Sequence, residues 1–126
     1  MSVQENTALA RRLFEEFFGG YDLGLADQFI APDFVDHNPL PGQSPGPEGI
    51  KWVNMTLHNA HSDLRFIVDD VIAEGDKVVA RWTLRGIHTG PMLGMPPSGR
   101  DVTEGVIAIF RVAGGKMVER WAAFAR

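Results

Sequence analysis

Four titratable side chains stand where an extended segment could deliver them to a pocket: Asp36, His37, His88 and Glu104. His88 ends the alternating run Val78, Ala80, Trp82, Leu84, Gly86, His88, one face of a predicted strand, with Val79, Arg81, Thr83, Arg85 and Ile87 on the other. The more apolar, aromatic face should line the interior, which aims His88 inward at its rim. An imidazole, with an ordinary pKa of about 6.5, exchanges protons near neutrality or donates a hydrogen bond to a developing enolate. The plainer alternative is a rim histidine bonded to a loop carbonyl. Glu104 shares a face with Val102, Val106, Ala108 and Phe110, which are otherwise wholly apolar. Desolvation there disfavours the charged carboxylate, which suits acid–base work. Water near the strand end, or a pairing with Arg100 or Arg120, is the alternative. Asp36 and His37 are adjacent in a brief extended piece, so one should point in and the other out. An inward His37 facing His88 would give two titrating groups able to divide acid and base roles, with Asp36 closing a turn or holding a neighbour.

Other residues suit ligand contact. Trp52, Trp82, Phe110 and Trp121 could form stacking walls for a flat ligand, although core packing uses the same residues. Met92 and Met95 lie in an irregular Gly/Pro loop, 89–99, that reads as a rim or lid for an adaptable apolar ligand. His58 and His61, three apart at the end of a predicted helix, lack the further ligands of a metal site. No metal site is expected.

The elements that must position these groups are legible from period. Leu9, Leu13 and Phe17, flanked by Ala10, Phe14 and Phe18, predict a helix that Gly19-Gly20 stops. Asp22 caps a short second helix through Ile30, which Pro32 ends. Asp33 to Asn38 is extended, and PLPGQSPGP is a loop. Pro47 and Glu48 open a third helix whose stripe is Ile50, Val53, Leu57 and Ala60. From Asp63 the period becomes two, with strands predicted over 63–73, 77–88, 101–112 and 116–125, separated by Glu74-Gly75-Asp76, the 89–99 loop and Gly114-Gly115. Helices followed by an antiparallel meander predict an α+β fold, with the helices on one face of a curved sheet.

The 126 residues read as one domain, 1–126, with 44% apolar residues and no cysteine, which excludes disulfides and thiolate chemistry and leans toward a cytoplasmic location. No run approaches a membrane span, and SVQENT does not read as a signal peptide. A net charge of −4 with interspersed signs argues against nucleic-acid or membrane partners. A small apolar ligand or substrate is the expected partner.

The motifs DFVDHNP (33–39), GPEGIK (46–51), DLRFIVDDVIAEGDKVVARWTLRGIHTG (63–90), GMPPSGR (94–100) and GGKMVERW (114–121) together resemble the SnoaL-like polyketide cyclases of the NTF2-like superfamily. The resemblance implies a cone-shaped α+β barrel with a deep apolar pocket, no metal or organic cofactor, and a homodimer. It aligns His88 with the histidine of the family's HTG motif and favours His37 as pocket-facing. SnoaL-type cyclases close a ring of an aromatic polyketide ester by an intramolecular aldol step. They use a carboxylate just beyond the residue that matches Trp121. Here Ala122, Ala123 and Phe124 follow, so Glu104 is the candidate replacement acid. A small-molecule-binding protein that kept the cone without the chemistry is the alternative. Isomerase and epoxide hydrolase sites of the same superfamily need an inward tyrosine, whereas the one tyrosine, Tyr21, lies at a helix end.

Overall fold

The computed structural model describes residues 2–125. Helix α1, Val3–Arg12, begins at a capping box in which the Glu5 N–H donates to Ser2 Oγ (3.1 Å) and the Ser2 N–H to Glu5 Oε1 (3.2 Å). The predicted helix then widens into a π-helical segment, Leu13–Phe18, closed by Gly19 N–H to the Phe14 carbonyl (2.8 Å). Widening gathers four bulky side chains on one side: Leu13, Phe14 and Phe17 are buried, and Phe18 packs against the core. Gly20 is required there, since a Cβ would stand 2.4 Å from the Glu16 carbonyl oxygen. Asp22 caps a single 3-10 turn, Leu23–Leu25, and a short helix α2, Ala26–Phe29, follows.

Strand β1, Ile30–Asp36, starts earlier than expected and contains Pro32 instead of being preceded by it. Only β5 pairs with β1, so β1 is an edge strand where proline's missing N–H leaves no ladder bond broken. Helix α3, Gly46–Ala60, has Pro47 in its first turn. Strands β2 (His61–Glu74), β3 (Lys77–His88), β4 (Asp101–Ala113) and β5 (Lys116–Phe124) complete one curved five-stranded sheet of order β1-β5-β4-β3-β2. All neighbours are antiparallel except β1 and β5. The architecture is the expected α+β one, helices on one face of the sheet, and no helix of the described residues is long and apolar enough to cross a membrane.

The inner face of β3 and β4 carries Val78, Ala80, Trp82, Leu84, Val106, Ala108 and Phe110, all buried, as period-two patterning predicted. Against it pack Leu9, Leu13, Phe14 and Phe17, with Phe14 tilted on Trp82 at 5.1 Å between ring centres. Burial of each such side chain contributes about 1.5–3 kcal/mol. Arg81 sits on the outer face, paired with Asp70, while the Thr83 hydroxyl donates to Asp69 (2.6 Å). Two carbonyls at the end of the π-helical segment, which also accept from the Asp22 and Tyr21 N–H groups (3.2 Å each), are bonded from α3: buried Asn54 donates to Phe17 O (2.9 Å) and His58 Nε2 to Phe18 O (2.7 Å).

Candidate functional site

Helices and sheet do not close completely on each other. Between them lies a cavity of about 690 Å³, walled by Phe14, Ile50, Leu57, Phe66, Trp82 and Phe110 among others. A cavity of this size accommodates a ligand of drug-like dimensions. Its polar groups are few: Asp36, Asn38, Gln43, His61, His88, Glu104 and Arg120.

His88 is 8% exposed and sits at the end of β3, held from the far side by the chain that returns through Ser98. The Ser98 N–H donates to His88 Nδ1 (3.3 Å), and Ser98 Oγ lies 3.1 Å from the same nitrogen. Ser98 Oγ itself accepts from the Arg100 N–H (3.3 Å), so its own hydrogen is available to Nδ1. A backbone N–H can only donate. Nδ1 is therefore an acceptor, and the proton of the neutral ring is on Nε2. Nε2 is buried and has no hydrogen-bond partner among the described residues; Trp82 Nε1, six residues back on the same strand face, is also buried and unpartnered. Each of these donors is buried and unsatisfied on a residue that lines the cavity, a condition that costs about 1–3 kcal/mol.

Glu104 also lines the cavity, on β4, opposite Leu84 of β3 and half-buried. Trp82 is the next inward residue along β3, diagonal to Glu104 across the strand pair. His88 lies four residues beyond Leu84, about 13 Å along the strand.

Asp36 and His37 take the opposite places from those expected. Phe34 is buried, Val35 is exposed, and the alternation carries Asp36 into the cavity wall and His37 out. His37 does not line the cavity or face His88. It stacks on Trp121 (4.7 Å, 7°) and bonds to Glu119 (2.8 Å) on the outer surface. That hydrogen bond, with help from the Arg111 guanidinium, holds the Glu119 carboxyl below its ordinary value. Asp36 Oδ1 and Oδ2 accept from Arg120 Nη1 (3.0 and 3.1 Å), while Asn38 N–H and Gln43 Nε2 add a bond each at 3.0 Å. A carboxylate with this many donors is spoken for; it fixes Arg120 in the cavity wall and is poorly suited to abstracting protons.

Of the side chains expected to contact a ligand, Trp82, Met92, Met95 and Phe110 line the cavity, and Trp52 and Trp121 do not. Trp52 packs beside Gly42, within 3.8 Å of where a Cβ would stand, and Trp121 follows the outward parity of its partner Ile109. Met92 and Met95 bond to each other's backbone across a Leu93-Gly94 turn in which both residues have positive φ (48° and 85°). His58, its ring stacked on Tyr21 at 3.9 Å, and His61 face different surroundings, and no group of three metal-ligating side chains occurs among the described residues.

Sequence reasoning passed over Arg120 and His61 as wall residues. The signal for Arg120 was parity with Ala122, since both pair with inward residues of β4, Phe110 and Ala108. Ala122 and Ala123 line the cavity where the resemblance places the missing acid.

Comparison with known proteins adds an independent line. A model of the family described as SnoaL-like polyketide cyclase matches residues 8–125. The aklanonic acid methyl ester cyclase AcmA of Streptomyces galilaeus is 30% identical over 120 residues, covering 91% of this chain and 81% of that protein. DnrD of Streptomyces peucetius, of the same description, is 29% identical over 114 residues, covering 86% and 77%. Among solved structures, TsrD from Streptomyces laurentii superimposes with a TM-score of 0.88 at 30% identity, covering 99% of this chain and 91% of that one.

Proposed function

Because the chain belongs to the SnoaL-like polyketide cyclase family, we propose that it is a cofactor-independent acid–base enzyme that closes a ring in a polyketide-like substrate by an intramolecular aldol step. The observation that carries this reading is the pair of buried, unpartnered donors, His88 Nε2–H and Trp82 Nε1–H, in an apolar cavity that also holds Glu104. The two donors lie six residues apart, about 20 Å along the strand, so they suit oxygens at distant points of one ligand, and His88 alone serves the bond-forming end. Glu104 takes the proton from the carbon alpha to one carbonyl as the enolate forms. The enolate carbon attacks the second carbonyl, a carbon–carbon bond forms, and the charge moves to an alkoxide held by His88 Nε2–H. Solvent protonates the alkoxide and takes the proton back from Glu104, so the product is an isomer of the substrate. Neutral His88 is a donor in this scheme and not a base, because Nδ1 is engaged by Ser98.

A second reading, a binding protein that keeps the cavity without the chemistry, is favoured by Ala122 and Ala123 in the wall position of the expected acid. Aklanonic acid methyl ester separates the two. In D2O the enzyme reading expects deuterium uptake alpha to a ketone and a product of altered retention that differs in mass only by exchanged deuterium, both lost in Glu104→Gln. Binding of the ester without exchange in the wild type supports the second reading and removes Glu104 as a base.

A further inference from the structure

The α3–β2 junction holds a second imidazole that the proposed reaction does not use. His61 is the first residue of β2 and the direct cross-strand partner of His88, with ring centres 5.9 Å apart. In a regular strand His61 and Leu64 would point to opposite faces, being three apart. They do not, because the register between β2 and β3 shifts between Ser62 and Arg65, where Asp63 adopts a left-handed backbone (φ 49°). That bulge reverses the parity and turns His61 to the inner face, where it lines the cavity; bulges beside functional sites re-aim side chains in this way. Gly86 makes the room: a Cβ there would stand 3.1 Å from the His61 Cβ.

The tautomer of His61 follows from its partner. Nδ1 lies 2.8 Å from the Leu57 carbonyl oxygen, which can only accept, so Nδ1 carries the proton and Nε2 of the neutral ring presents a lone pair. Its neighbour His88 presents the reverse, an Nε2–H. Two adjacent imidazoles locked in opposite tautomers, one by Leu57 and one by Ser98, form a donor beside an acceptor.

We propose that His61 and His88 form a hydroxyl-selective subsite: a ligand oxygen accepts from His88 Nε2–H while its hydrogen is donated to His61 Nε2. A carbonyl oxygen satisfies His88 but sets its lone pairs against that of His61. A hydroxyl satisfies both. This rests on the reading of the cavity as a polyketide-type site, and deepens it, since the oxygen at His88 is the one that changes from carbonyl to hydroxyl when the ring closes. The subsite would then favour the product-like state over the starting ketone.

Three ligands of one shape test this: tetralin, 1-tetralone and 1-tetralol, titrated into the wild type and His61→Phe at about pH 8, above the ordinary imidazole range. In the wild type 1-tetralol should bind about tenfold more tightly than 1-tetralone, consistent with one satisfied buried partner. In His61→Phe that ratio should fall to about one while tetralin affinity is unchanged, which also shows that the variant keeps its cavity. Nitrogen-15 shifts of the ring nitrogens need no variant: His61 should show the Nδ1–H tautomer and His88 the Nε2–H tautomer. Equal affinity for alcohol and ketone in the wild type, or the opposite tautomer at either ring, overturns the subsite while tetralin binding still supports the apolar cavity. Failure of all three to bind removes the cavity reading and the subsite together.

Discussion

The cavity has two polar corners at opposite sides of the sheet, and they are built on opposite terms. On β1 and β5, Asp36 is saturated by Arg120, Gln43 and Asn38. On β3 and β2, His88 is held through one ring nitrogen and leaves the other buried without a partner. A carboxylate whose oxygens are already occupied contributes geometry, since it has little left to offer a ligand. An imidazole anchored on one side and unsatisfied on the other is a preorganised donor that only a ligand completes. Charge alone therefore misleads as a guide here: the fully charged corner is a brace, and the imidazole corner keeps an unsatisfied donor.

The sharpest test of this contrast is His88→Phe. Turnover of a cyclisable ester should fall about 10²–10³-fold, as for loss of an oxyanion donor, while the urea midpoint stays within about 1 kcal/mol equivalent of the wild type. A stability loss as large as the activity loss would make His88 a brace as well. Next in size is Asp36→Ala, which leaves the Arg120 guanidinium facing the cavity uncompensated. Unfolding free energy should drop by about 2–3 kcal/mol, less than a fully buried pair because Arg120 keeps some solvent contact. The double variant Asp36→Ala/Arg120→Ala should recover part of the loss, which a denaturant double-mutant cycle measures. Ser98→Ala should be milder. The Ser98 N–H still reaches Nδ1, so turnover should fall about threefold to tenfold, with a larger Nδ1–H fraction visible in the nitrogen-15 spectrum. Ser98→Thr, which keeps the hydroxyl, should restore both. The smallest effect is expected outside the cavity. Glu119 is held below its ordinary carboxyl value of 4.5 by His37 and Arg111. A depressed folded-state value gives stability that is present above 4.5 and lost as pH falls through the lowered value. Glu119→Gln should accordingly show a shallower fall of Tm on acidification than the wild type and leave ligand binding untouched.

His37 and Asp36 illustrate what was readable and what was not. Phe34 fixes the parity of β1, so the sequence already contained the reason for Asp36 to point inward, whereas the family resemblance implied an inward His37. Arg120 was equally accessible through its parity with Ala122. Neither the Arg120 bond to Asp36 nor the stacking that retains His37 on Trp121 was accessible, because each joins residues more than eighty positions apart. Pro32 belongs to the same class: whether a proline ends a helix or sits in a strand depended on β1 being an edge, a property of the whole sheet.

The sequence by itself determined the α+β order of elements, the inner faces of β3 and β4, and the inward aim of His88 and Glu104, because period two is a local property of the chain. Tertiary structure alone decided which histidine joins His88. The bulge at Asp63 exists only as a register shift against β3, and it turned His61 inward. Tertiary structure also decided what each imidazole can do, since a ring's tautomer is set by the groups that meet it, and those groups arrive from Leu57 and Ser98 on separate parts of the fold.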